Sequence, residues 1–149
     1  MVALMELQSS RLRARVGPNG EAVRLLDQSR ARSDHVLVGR GLAALARAEA
    51  QRRPAGPYVL QAAIAACHAR ARTPEDTDWK RIVDLYAKLD DVTGSPIVKL
   101  NHAVAVAMAE GPGAGLALVE TLASHRTLET YQERTGALRH RTDAGEADQ

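Results

Sequence analysis

Apolar residues recur along this chain every three or four positions, in blocks separated by glycine, proline and helix-capping residues, which is the pattern of one helix after another. Residues 1 to about 14 carry Val2, Met5 and Leu12 on a helical repeat that Gly17-Pro18-Asn19-Gly20 then breaks. Residues 21 to 33, with Asp27-Gln28 among them, read as irregular or as a short helix. Ser33 fits an N-cap, and the helix it opens extends to about Arg52 with Leu37, Gly41, Leu45 and Ala48 on one stripe. Gly41 has no Cβ, so a neighbouring backbone can approach it closely.

The stretch from Gly56 to Gly111 is the best organised. Gly56-Pro57-Tyr58 puts a proline in the first turn, where its missing N–H costs nothing, and the helix that follows carries Leu60, Ile64, Cys67 and Ala71 along one side. After Thr73-Pro74 and a short acidic link, Thr77 or Asp78 caps a helix that begins at Trp79 and ends near Asp91. Gly94-Ser95-Pro96 then supplies a stop, an N-cap and a first-turn proline, and the next helix reaches Glu110 before Gly111-Pro112-Gly113 ends it. The run from Ala103 to Ala109 alternates as a strand would, but its flanking caps and alanine content favour helix. Leu116, Val119 and Leu122 mark one more helix, a last one is expected around residues 127 to 139, and the polar stretch 141–149 reads as a disordered tail.

Trp79, Ile82, Val83 and Tyr86 reproduce, degenerately, the W-x2-L-G-x2-Y spacing that opens a tetratricopeptide repeat. Trp79, Ile82 and Tyr86 share one helix face, so both rings are expected to be buried between adjacent helix pairs. A helix pair of this kind cannot cover its apolar face alone and needs neighbours. The expected fold is therefore all-α, with antiparallel helix pairs stacked as a short tetratricopeptide-like array over residues 1–140 as a single domain.

Composition sharpens this picture. Aromatic residues make up 3% of the 149-residue chain and phenylalanine is absent, so a core has to be built from Ala, Leu and Val, which suits closely packed helices better than a β-sandwich. Net charge is +2, but residues 1–72 hold twelve arginines against five carboxylates while residues 73–149 are net acidic. Such a split would mark a nucleic-acid-facing half. The arginines are spread with no aromatic stacking platform among them, which favours a solvated helix surface instead. The lone Cys67 excludes an internal disulfide and reads as a small buried hydrophobe. No apolar run approaches the roughly 20 residues that span a bilayer, and no secretory signal is visible, so a cytoplasmic protein without membrane contact is expected.

The search for chemistry finds little. His68, His102, Asp76 and Asp78 are the candidates for acid-base or metal chemistry near the central stretch, and they come from separate segments with no ligand spacing, no H-E-x-x-H and no glycine-rich phosphate loop. His68 fits a helix-surface or hydrogen-bonded core histidine, and Asp76 and Asp78 fit N-terminal caps favoured by the helix dipole. No catalytic residue, metal or cofactor is therefore assigned. Gln61 and Asn101 stand out because both sit in apolar helices. Buried, they must be satisfied between helices and fix register; exposed in a concave surface, they can pair with a partner's backbone.

GPYVLQAAIAACHA (Gly56 to Ala69), DTDW (Asp76 to Trp79) and SPIVKLNHAVAVA (Ser95 to Ala107) resemble the C-terminal extension of one subgroup of bacterial extracytoplasmic-function sigma factors, in which a tetratricopeptide-like helical domain follows the two sigma domains. LDQSRARSD (Leu26 to Asp34) is similar to a further segment of that family, with Ser29, Ala31 and Ser33 replacing its usual Asp, Ser and Trp. The resemblance covers roughly residues 1 to 123, and Gly56, Pro57, Tyr58, Trp79, Tyr86 and Pro96 are its structural marks. It implies a regulatory interaction domain that contacts the sigma domains in cis or the RNA polymerase core. The promoter-reading domains of that family have no counterpart here, so the resemblance implies a fragment without specific DNA binding of its own, its last repeat incomplete. The other readings are a free-standing adaptor that holds a peptide or protein partner, and a small ligand sensor using His68 and His102.

Overall fold

A computed structural model describes residues 1–24, 28, 33–51 and 53–124. They form helices α1 (Val2–Ser9), α2 (His35–Glu49), α3 (Pro57–Arg70), α4 (Trp79–Thr93) and α5 (Pro96–Glu110), followed by α6, which begins at 112 and runs to the last described residue, 124. No strand occurs among the described residues; Val16 and Ala22 form an isolated bridge across the turn that Gly17-Pro18-Asn19-Gly20 makes, where Gly20 N–H donates to the Gly17 carbonyl. The helix read at 127–139, the tail 141–149 and Asp27 of the 21–33 segment lie outside the described residues.

The boundaries follow from local chemistry. Gly56 precedes Pro57 at the start of α3, and Ser95 precedes Pro96 at the start of α5, so both helices open on a residue with no N–H to leave unsatisfied. Asp78 caps α4 by accepting from Arg81 N–H at 3.0 Å, whereas Thr77 is buried. The cap of α2 is Asp34 rather than Ser33: its carboxylate accepts from the N–H groups of both Val36 and Leu37, which a carboxylate does better than a hydroxyl. Gly94, at φ +59°, ends α4, and the two-residue link Gly94-Ser95 returns the chain along it as α5.

The helix α3 is the centre of the packing. Every residue from Ala62 to His68 is buried, and a helix apolar all round has to be enclosed by neighbours; α1, α2 and α4 all pack on it. Contacts also join α1 to α2 and α4 to α5, and Gly115 of α6 lies close against Ala103 and Ala107 of α5. The expected stripes on α2 and α3 are the ones that face inward, and the core combines alanines with Leu7, Leu45, Leu60, Leu85, Leu89, Ile64 and Ile82. Valine, expected in the core, stays at its margin as Val59, Val83 and Val98.

Two further expectations are corrected. The first helix is shorter than 1–14 and ends at Ser9, its inward residues being Ala3 and Leu7, and Ser10 and Ala14 of the cap and the separate 3₁₀ turn Leu12–Ala14 are buried after it. Val2, Met5 and Leu12 are exposed. Ser10 tolerates burial because its hydroxyl donates to the Leu7 carbonyl at 2.8 Å. On α4, Trp79 and Tyr86 are only partly buried, and the enclosed line is Ile82, Leu85 and Leu89. Trp79 covers the edge of the core, its ring meeting that of His68 edge-to-face at 5.3 Å.

Candidate functional site

The amides of Gln61 and Asn101 open on one groove of about 370 Å³ between α1, α3, α4 and α5. Gln61 reaches it from the second turn of α3 and Asn101 from the second turn of α5; both are exposed, and neither side chain hydrogen-bonds to another described residue. The floor is apolar, made by Ile64 and Ala65 of α3, Leu89 of α4 and Val98 of α5, with the Tyr86 ring beside them. Gln8 and Arg11 close the side nearest α1, where the side-chain Oε1 of Gln8 accepts from the guanidinium groups of Arg11 and Arg15.

Chemically, the groove offers uncharged donor-acceptor groups above an apolar floor. Each free amide can donate and accept at once, which matches a peptide backbone. Exposure separates the two roles foreseen for these residues: Gln61→Ala and Asn101→Ala remove no buried hydrogen bond, so each should change stability by no more than about 0.5 kcal/mol in a thermal melt.

The other sequence candidates do not assemble. His68 is buried beside Trp79, His102 lies partly buried on α5, Asp76 accepts from Thr73 N–H at 3.2 Å, and Asp78 is the cap of α4. Among the described residues, no group of three His, Cys, Asp or Glu side chains could hold a metal ion. Tyr58 is exposed at the start of α3, while Gly56, Pro57 and Pro96 shape the helix starts that present the two amides. Gln8 and Arg11 were not foreseen as groove residues, since only the packing of α1 on α3 brings them there.

Two groups near the site titrate upward from their ordinary values. Burial pushes the Cys67 thiol up, with the Arg81 guanidinium opposing it, and burial alone raises the Tyr86 phenol. In both cases the folded chain holds the proton more tightly than the unfolded one. Their contribution to stability is thus fully present below the ordinary values of 9.0 and 10.0 and is lost as pH rises through the higher folded values. The melting temperature should fall from pH 9 upward, and Cys67→Ala and Tyr86→Phe should each flatten that fall.

Residues 1–49 match a family of unknown function, DUF6596. An uncharacterized protein of Rhizobium meliloti (strain 1021) is 51% identical over 122 residues, which make up 82% of this chain and 29% of that protein. The chain thus spans under a third of the relative it matches. No solved structure matches. No helix among the described residues is long and apolar enough to cross a membrane.

Proposed function

We propose that this chain is a regulatory protein-interaction domain of an extracytoplasmic-function sigma factor, in which the groove receives a segment of the sigma domains or of the RNA polymerase core. One observation carries the reading. The segments that resemble that family, Gly56 to Ala69 and Ser95 to Ala107, are the ones that supply Gln61 and Asn101 and most of the groove's wall, so the resemblance and the groove fall on the same residues. Packing of α1 on both α2 and α3 supports a tetratricopeptide-like stacking of helix pairs. An exposed apolar line on α5, formed by Ile97, Leu100, Val104 and Met108, supports contact with further protein.

In this reading the domain acts on transcription initiation in the cytoplasm, uses no cofactor, and reads no promoter sequence itself. Any DNA binding by its arginine-rich half is non-specific and falls steeply with salt. The test is in vitro transcription with an intact sigma factor that carries this region and with the same protein lacking it. A changed output supports the regulatory role, and equal output at every promoter tested refutes it. A domain that captures neither polymerase core nor sigma domains but does bind peptides would instead be a free-standing adaptor.

A further inference from the structure

A second cavity, of about 260 Å³, adjoins the groove at the C-terminal end of α3 and shares Arg11 and His68 with it. Among the described residues, its wall holds Arg11, Arg70, Arg72 and His35 with Ser33 beside them, and no carboxylate. These residues come from three separate parts of the chain. The dipole of α3 accounts for Arg70, which lies in the last turn where a cation is favoured. It does not account for Arg72, which lies beyond the helix. His35 opens the fifteen-residue helix α2, whose first N–H groups are already met by the Asp34 carboxylate.

Neither Arg70 nor Arg72 forms an ion pair within the described residues. Asp76 and Asp78, which border a neighbouring cavity, are engaged by the backbone N–H groups of Thr73 and Arg81, and Asp34, between Ser33 and His35, is engaged by those of Val36 and Leu37. Cationic groups gathered around one recess repel one another, and an anion placed among them relieves that repulsion. The guanidinium fork matches the paired oxygens of a phosphate, and the recess lies below the roughly 300–1,000 Å³ of sites for larger ligands.

We propose that this cavity binds a small tetrahedral anion of the phosphate class, held by Arg70 and Arg72, with Arg11, Ser33 and His35 completing its surroundings. The site is independent of the groove's proposed role, because Gln61 and Asn101 are not in its wall. The test is a titration with inorganic phosphate at constant ionic strength, followed by calorimetry and by NMR, with chloride as the control. Saturable binding is expected, weakened about tenfold or more for each guanidinium removed, the loss that charge-assisted hydrogen bonds produce. Arg70→Gln/Arg72→Gln should therefore bind far more weakly, and Arg53→Gln, which removes the same type of charge outside the cavity, should bind as the parent does. Should the double variant lose its helical circular dichroism, Arg72→Gln alone, at an exposed position outside any helix, reads the same effect. A response to phosphate no larger than to chloride, or equal affinity in the Arg72 and Arg53 variants, overturns the proposal.

Discussion

Replacing Ile82 by alanine should destabilise the protein by about 3–4 kcal/mol, because it deletes a fully enclosed side chain from a packed core. Ile82 has no exposed surface and stands on α4 where that helix meets α3. A core built on alanine magnifies the loss. Alanines such as Ala62, Ala63 and Ala66 on α3 have no rotamers with which to fill a vacated space, so the cavity cannot be repacked from that side. At about 2–4 °C per kcal/mol for a domain of this size, the melting temperature should drop by roughly 10 °C. Val83→Ala, at the core's margin on the same helix, should cost much less, and equal losses for the two would contradict the assignment of α4's inward face.

The second large effect contrasts two glycines of α2. A Cβ built on Gly41 lies 2.7 Å from Leu7 Cγ and 3.2 Å from the Leu7 backbone nitrogen, while one built on Gly39 meets nothing within 4 Å. Leu7 is 1% exposed and cannot swing aside. Gly41→Ala should therefore force α1 away from α2 and cost about 1–3 kcal/mol as overpacking. Gly39→Ala should instead stabilise by up to about 1 kcal/mol, because alanine restricts the unfolded chain and favours helix. Opposite signs in urea unfolding two residues apart would establish the close α1–α2 approach. The Glu6–Arg40 ion pair across the same interface, at 2.7 Å, is mostly exposed at the arginine and contributes little to it.

Helix order was legible because the breaks are chemically explicit. Gly56-Pro57 and Gly94-Ser95-Pro96 can hardly be read otherwise, and the structure starts α3 and α5 there. The faces of α1 and α4 were less legible. Between residues 2 and 14, Ala3, Leu7, Ser10 and Ala14 point inward while Val2, Met5 and Leu12 are exposed, and Leu7 finds its room because Gly41 of α2 has no Cβ. On α4, the repeat-like spacing of Trp79 and Tyr86 drew attention to the rings, whereas the slimmer Ile82, Leu85 and Leu89 fit against the alanines of α3. Gln61 and Asn101 stood out as lone amides in apolar helices, but their meeting in one groove depends on α3 and α5 both packing against α4. Gln8 and Arg11 carry no local signal, since their role depends on contacts between distant parts of the chain.

The central claim is that Gln61 and Asn101 face a protein partner rather than hold helices in register. The measurement is the affinity of the Gln61→Ala/Asn101→Ala variant for RNA polymerase core and for the sigma domains, taken beside its melting curve. The account predicts an affinity loss of about tenfold, the yield of two modest hydrogen bonds, with the melting temperature unchanged. Unchanged affinity, or a loss that tracks a fall in melting temperature, would contradict it.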